Sequence, residues 1–325
     1  MNKIKRNTGK SVLILLIMSA LSVSAKTPYE FSIYGGGGYS TFLYRLPANS
    51  SGFTPIGESP VITTPPNGLY AIYGVSSSGI SGDLGVSFTG FVAPQFGFHV
   101  GIGLGLCNVG VNVDSLKTYT SDLIDSNNRD FNMYTNLFDY SETLRMINLS
   151  IPLMLQFQTA PNQQSWNRKP DISHGVYAMI GIKLSVLLNN TYESNIATLQ
   201  NSAYYPGLDN WAATQEFADL GEFKGKSAKG DIGFVQAIFV AELGMKWRVA
   251  DNMYLYTGAY FDYGLNDPLK NSRKPTSDYI FADDLRDFAL LDFSEKTHLI
   301  TMGVKMRLSF VKVFNQLSCP QFSRF

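Results

Sequence analysis

Residues 95–106, QFGFHVGIGLGL, alternate between large apolar residues and small or uncharged polar ones. This period of two predicts a β-strand whose faces lie in different environments. Its length suits a strand that crosses a membrane as part of a barrel, which takes about 9–11 residues. A water-exposed second face would normally carry Lys, Glu and Thr. The Gly, Gln and His found here fit a crowded barrel interior instead.

Seven further segments show the same alternation, although Pro152 interrupts the fourth segment of the set. In chain order, the eight predicted strands are 29–44, 80–92, 95–106, 144–158, 175–189, 232–249, 253–265 and 299–310.

The connections between these segments alternate in length. Short turns join strands two and three and strands six and seven, and a medium link joins strands four and five. The long connections are residues 45–79, 109–143, 190–231 and 266–298. Bacterial outer-membrane barrels have short periplasmic turns, long outer loops and an even number of strands. The sequence therefore predicts an all-β fold: an eight-stranded antiparallel transmembrane up-and-down β-barrel with four long extracellular loops.

The N-terminus has the features of a secretory signal peptide. Lys3, Lys5, Arg6 and Lys10 precede a short apolar run, and residues 23–25 resemble a cleavage site. We therefore predict a signal peptide at 1–25, a barrel at 26–312 and a short tail at 313–325. Removing the signal leaves 22 basic against 26 acidic residues. This mild acidity gives no electrostatic case for nucleic-acid binding.

The inner face of the predicted barrel carries charges of both signs. An interior of eight strands is just wide enough to be filled by side chains, and a charge there is costly unless it is paired. We therefore predict a packed network of salt bridges and hydrogen bonds in place of a wide channel. Its predicted members are Asp83, His99, Lys183, Glu242, Lys246, Asp262, Lys305 and Arg307.

Aromatic residues cluster where girdles at the membrane surfaces are expected. Trp247, Phe157 and Phe310 are predicted at the periplasmic end, and Phe42, Tyr44 and Tyr263 at the outer end. The third long connection is also rich in aromatics, which either form a binding surface or pack the loop onto the rim. These are Tyr192, Tyr204, Tyr205, Trp211 and Phe217.

The chain resembles small OmpA/OmpX-like outer-membrane β-barrels, especially those of Bacteroidetes. The resemblance rests on the strand–loop rhythm, on the glycine run 35–38 and on the last strand, GVKMRLSF. It implies that Gly303, Leu308 and Phe310 form a signal read by the barrel insertion machinery. The tail after Phe310 departs from the many barrels that end at this aromatic residue.

No catalytic, metal or cofactor motif is apparent, so the leading hypothesis is a non-enzymatic barrel. It would contact outer-membrane lipid and present its loops to a surface ligand or host partner. Two alternatives stay open. One is a barrel enzyme acting on lipid or peptide at the rim, where His298 could pair with Asp292 or Glu295. The other is a secreted soluble barrel that binds an apolar ligand, in which the two faces would be inverted.

Overall fold

The computed structural model describes residues 28–45, 68–125, 127–159, 174–213, 220–231, 235–250, 252–267 and 296–312. The predicted signal peptide and tail lie outside these ranges. The described residues form eleven strands: β1 (Tyr29–Arg45), β2 (Gly68–Tyr73), β3 (Ser76–Ala93), β4 (Phe96–Ile124), β5 (Asp130–Gln158), β6 (His174–Tyr205), β7 (Asn210–Ala212), β8 (Gly221–Asp231), β9 (Val235–Ala250), β10 (Met253–Gly264) and β11 (Lys296–Lys312). None of the described residues belongs to a helix that is long and apolar enough to cross a membrane.

Eight of the described strands close into an antiparallel ring in the order β1, β3, β4, β5, β6, β9, β10, β11. The ring closes because β11 pairs with β1 along its whole length, from Tyr29 opposite Lys312 to Arg45 opposite Lys296. Each ring strand therefore has a partner on both sides, which leaves no free edge. The predicted eight-stranded up-and-down barrel is confirmed.

The outward faces of the ring strands are apolar around the barrel. Phe98 on β4 is 51% exposed, Ile182 on β6 is 46% exposed and Val304 on β11 is 68% exposed. The polar residues lie inside, where Lys246 and Arg307 are 1% and 2% exposed. A soluble barrel would have the opposite arrangement, so the soluble alternative is wrong. Hydrocarbon is the medium that suits this exterior. Its side chains are apolar, and the backbone groups of a closed ring pair with one another and do not need water.

The polarity of the two faces reverses part-way along β4. From Phe96 to Leu106 the apolar residues point outward and glycines point inward. From Cys107 onward Val109 and Val111 are fully buried, and the outward positions become Asn108 and Asn112. The apolar stretch spans roughly 25 Å along the barrel axis, as expected for a tilted strand in a bilayer. The reversal therefore marks one surface of the membrane, at the end of the barrel opposite the short turns.

The same reversal occurs on the two strands that follow β4. On β5 the outward residues change from Ile147 to Arg145, while Leu144 turns to the buried side. On β6 they change from Leu188 to Glu193, while Tyr192 is buried. These three strands continue beyond the membrane as a paired sheet, to which β2 adds on β4, and β7 and β8 add on β6. We call this projecting sheet, β2 and β7–β8 included, the outer sheet.

The outer sheet corrects the prediction of irregular loops. Residues 109–143 and 190–231 were expected to be loops, but most of them belong to strands β4, β5, β6, β7 and β8. They escaped detection because the alternation there places apolar residues inside, opposite to the pattern of the membrane segments. Most of the first and fourth long connections lie outside the described residues.

The aromatic girdle predicted at the short-turn end agrees with the structure, whereas the girdle predicted at the other end agrees only in part. Trp247, Phe157 and Phe310 do point outward near the short-turn end. Phe42, however, points inward and packs in an apolar cluster with Cys107 and Leu299, so its assignment to the outer girdle is wrong. The side chain of Tyr44 is not described, and Tyr263 is half-buried against His298.

We expect the membrane boundary to decide how arginine is tolerated on the outward face of β4. Ile102→Arg places a charge near the middle of the apolar band and should cost about 2–4 kcal/mol of unfolding free energy. Asn112→Arg, on the same face beyond the reversal, should cost less than about 0.5 kcal/mol. Denaturant unfolding from lipid vesicles measures both. Equal losses would contradict the boundary.

Candidate functional site

The lumen holds a buried ion pair near the short-turn end of the barrel. Lys246 Nζ on β9 donates to Glu30 Oε1 on β1 at 3.3 Å and to Gln158 Oε1 on β5 at 2.9 Å. Tyr256 Oη on β10 donates to the same Glu30 oxygen at 2.7 Å. Glu30 and Lys246 are both buried, so each charge is balanced inside the barrel and not by water.

Arg307 on β11 is buried between polar acceptors and aromatic rings. Its Nη2 donates to Gln156 Oε1 at 3.1 Å, and its guanidinium carbon lies 4.1 Å from the centroid of the Tyr256 ring. Its Nη1 is 3.2 Å from Nδ1 of His99, which is also 2.9 Å from Thr89 Oγ1. Because a guanidinium can only donate, His99 Nδ1 is the acceptor, and His99 serves as part of the packing network.

A second layer of charges crosses the middle of the lumen. Lys305 Nζ on β11 pairs with Asp83 Oδ2 on β3 at 3.1 Å, and Lys183 on β6 pairs with Asp262 on β10. Glu242 on β9 accepts a hydrogen bond of 2.6 Å from the hydroxyl of Tyr177 on β6. The structure thus brings together the residues predicted for the lumen, with oppositely charged partners on different strands.

Glycines on β3 and β4 make room for one of the lumen aromatics. Gly85 and Gly103 face each other in register, and the hydroxyl of Tyr34 on β1 lies against both. A Cβ added at Gly85 would lie 2.6 Å from that hydroxyl. The glycines at these facing positions of β3 and β4 therefore leave room for the side chain of Tyr34, from the neighbouring strand β1, to lie along the inner wall.

Little empty space is left between these layers. A cavity of about 20 Å³ lies between Arg307 and Asp83, and another of about 50 Å³ lies between Asp83 and Thr301. Each volume suits one or a few water molecules. Towards the outer sheet, the interior is filled by an apolar cluster that includes Phe42, Cys107 and Leu187. The described side chains therefore fill the lumen along most of its length.

Sequence reasoning missed several residues that complete the lumen network. Glu30 follows from the alternation of β1, because it shares the inward face with Ser32 and Tyr34. Tyr256, Gln156 and Gln158 also lie on inward faces of their strands. Most of them carry no charge and Glu30 lies on a glycine-rich strand, but the alternation of each strand places all four on the inward face.

The residues of the proposed insertion signal lie on β11, next to the closure of the barrel. Gly303 is opposite Gly38 on β1 and is so close to it that a Cβ would overlap the β1 backbone. Leu308 and Phe310 point outward on the same face, with Phe310 exposed. Their part in membrane insertion stays a prediction.

The far end of the outer sheet is closed by a tight turn between β4 and β5. The Asp125 carboxylate accepts hydrogen bonds from the backbone amides of Asn127 at 2.8 Å and Arg129 at 2.9 Å. The Arg129 guanidinium also pairs with it at 2.8 Å. Burial alone would raise the pKa of Asp125, but these hydrogen bonds and the guanidinium outweigh it and lower the pKa. The turn is therefore held by a charged carboxylate at neutral pH.

His298, the candidate catalytic group at the rim, has structural surroundings, as does His174. His298 Nδ1 lies 2.7 Å from the carbonyl oxygen of Gly264, and its ring stacks on Tyr263 at 5.2 Å. Asp292 and Glu295, its predicted partners, lie outside the described residues. His174 on β6 packs against Trp247 near the short-turn end.

Three features occur together in this chain. The exterior is apolar over about the height of a bilayer, the lumen is packed with paired charges, and a sheet projects past the polarity reversal. The barrel is an outer-membrane protein. Its localisation follows from the two faces of the ring, because lipid is the medium that suits the exterior and closed barrels of this kind cross bacterial outer membranes.

Comparisons with known proteins add little to this assignment. No protein-family model matches the sequence, and no curated protein sequence matches it. Solved structures of eight-stranded outer-membrane barrels are similar in outline. Neisserial surface protein A is 9% identical over 86% of this chain and 97% of that chain, with a TM-score of 0.29.

Two other barrels give similar values. Ail from Yersinia pestis is 8% identical over 86% of this chain and 98% of that chain, with a TM-score of 0.23. OprG from Pseudomonas aeruginosa is 11% identical over 89% of this chain and 98% of that chain, with a TM-score of 0.31. These values carry no argument about function.

Removing one partner of the deepest ion pair should destabilise the barrel strongly. We expect Glu30→Gln to cost about 3–5 kcal/mol of unfolding free energy, because it leaves the charge of Lys246 buried without its carboxylate. Adding Lys246→Met should recover most of that loss, since the uncompensated charge is then gone. Denaturant unfolding in vesicles provides the measurement.

The matched control for this substitution is Glu222→Gln on β8. Glu222 pairs with Lys224 at 3.0 Å on an exposed surface, so the same chemical change should cost less than about 0.5 kcal/mol. If both single variants lost equally little stability, the prediction that Lys246 depends on Glu30 for its charge balance would be contradicted.

Proposed function

We propose that this protein is a non-enzymatic outer-membrane barrel that holds a rigid β-sheet outside the cell as an interaction surface. The observation that carries the proposal is the continuation of β4, β5 and β6 beyond the apolar band. Their paired length extends roughly 40–60 Å along the strands past the reversal, from the strand rise per residue. A barrel with only a membrane-spanning role does not need such an extension.

The lumen network supports a structural part for the barrel itself. Its paired charges come from strands that are not neighbours in the ring, such as Glu30 on β1 and Lys246 on β9. These contacts link non-neighbouring strands through the lumen and give the outer sheet a firm base. On this proposal the lumen is at most a narrow pore.

The proposal does not include catalysis. His298, the candidate base at the outer rim, is occupied by Tyr263 and the Gly264 carbonyl oxygen. We therefore assign it a packing role on the rim, and the enzyme interpretation gains no support from its surroundings.

We also propose the finer relationship indicated by the sequence, an OmpA/OmpX-like barrel of the Bacteroidetes type. It is supported by the glycines of β1, where Gly38 lies against Gly303 at the closure of the barrel. Expected partners are outer-membrane lipid along the apolar band, the insertion machinery at Gly303, Leu308 and Phe310, and a ligand outside the cell.

The topology can be tested by placing one epitope at either end of the same strand pair. An epitope inserted in the β4–β5 turn at Asn127 should be stained by antibody on intact cells. The same epitope inserted in the β3–β4 turn after Pro94 should be stained only after the outer membrane is permeabilised. Gel mobility with and without boiling confirms that each variant is folded. The reverse pattern of staining would overturn the proposal.

The packed lumen can be tested by conductance in planar lipid bilayers. We expect the purified barrel to give no steps comparable to those of a large porin measured in the same bilayer, because the described side chains leave small cavities between the layers of the lumen. Repeated porin-sized steps would show that the lumen opens, and the role of the barrel as a closed support would then fail.

A further inference from the structure

Four aromatic residues form a connected row across the far part of the outer sheet. The ring centroids of Tyr119 on β4 and Tyr134 on β5 are 4.9 Å apart, and those of Tyr134 and Trp211 on β7 are 5.0 Å apart. Trp211 also lies 5.0 Å from Tyr204 on β6. We call these four residues the aromatic row. They are brought together by strand register, since they lie on four different strands.

The aromatic row faces water. The opposite face of the same strands holds the buried residues Met133 and Ala203, which pack in an apolar cluster of their own. Trp211, in contrast, is 56% exposed. It lies in the middle of β7, a strand of three residues. Trp211 therefore keeps more than half of its surface in water, although its ring packs against Tyr134 and Tyr204.

The membrane does not account for the row either. Aromatic girdles lie at the level of the lipid headgroups. Tyr119 follows the last outward apolar residue of the band, Leu106, by roughly 40 Å along β4, from the strand rise per residue. This distance places the row in the medium outside the cell and well beyond the bilayer surface.

Hydrogen-bonding groups surround the rings. Tyr204 Oη donates to Asp209 Oδ1 at 2.8 Å, and this hydrogen bond raises the pKa of the Tyr204 hydroxyl, which stays protonated at neutral pH. Asp122 accepts a hydrogen bond of 2.6 Å from Ser121 and donates its amide to Asn132 Oδ1 at 3.3 Å. Aromatic faces next to carboxylate and amide groups are thus present in one exposed area.

We propose that the aromatic row binds a neutral polysaccharide chain outside the cell. A sugar ring has an apolar face of C–H groups, which packs on an aromatic ring, and an edge of hydroxyl groups, which hydrogen-bond to carboxylates and amides. The rings, about 5 Å from one to the next, extend over several consecutive sugar units. Asp122 and Asp209 disfavour acidic glycans and anionic lipids by charge repulsion.

This inference rests on the proposed display of the outer sheet, and it adds the class of ligand. It is tested with the full chain, refolded in a detergent that has no sugar headgroup. Calorimetric titration with cellohexaose, mannohexaose and laminarihexaose provides neutral probes, and chondroitin sulfate provides an acidic one. We expect binding of at least one neutral probe and weaker or absent binding of the acidic one.

The variants separate a ligand site from a merely structural cluster. Trp211→Ala should weaken binding by about tenfold or more, because it removes the central ring of the row. Phe138→Ala is the matched control, since Phe138 is also exposed on β5 but does not belong to the row. It should change the dissociation constant by less than about twofold. Gel mobility before and after boiling shows whether each variant is folded.

The inference is overturned if the folded protein binds none of the neutral probes, if it prefers the acidic probe, or if Trp211→Ala binds as tightly as the unmodified chain. Each of these results leaves the epitope staining untouched, so failure of the ligand assignment is distinguishable from failure of the proposed surface display.

Discussion

The structure depends on the absence of water along the outer wall of the ring. In hydrocarbon, an unpaired backbone amide or carbonyl costs several kcal/mol, so the sheet must close on itself. Closure then creates an interior that is too narrow for bulk water, and the charges that point into it must find partners among themselves. The pairs of Lys305 with Asp83 and Lys246 with Glu30 are consequences of that one constraint.

The reversal of polarity within single strands follows from the same physical argument. The outward side of β4 is apolar as far as Leu106 because lipid surrounds that part of the strand. It becomes polar at Asn108 because water surrounds the part that follows. The inward side changes in the opposite sense, since above the membrane the sheet needs an apolar interior of its own, with Val109 and Val111 buried. One continuous strand thus contributes first to a membrane barrel and then to a sheet with an ordinary hydrophobic core.

Alternation in the sequence was enough to predict the ring, because every spanning segment repeats the same relation between its two faces. It was also enough to indicate which charged residues lie inside, although Glu30 was overlooked on a strand whose glycines obscure the pattern. The outer sheet does not follow from that relation, because its segments place apolar residues inside and polar residues outside. Phe42 was misplaced for the same reason, since it lies on an inward face where the lumen changes from polar to apolar.

Contacts between distant strands depend on register, which alternation alone does not supply. Tyr119 meets Tyr134 because β4 and β5 pair without a slip at that point, and Trp211 meets Tyr204 because β7 folds back on β6. In the outer sheet, an apolar cluster lies on one face, where Phe131, Met133 and Tyr205 are buried. The other face is then free to vary without loss of the core. On the proposal of a glycan site, the rings on that face contact a ligand outside the protein, while the core on the opposite face holds the sheet together.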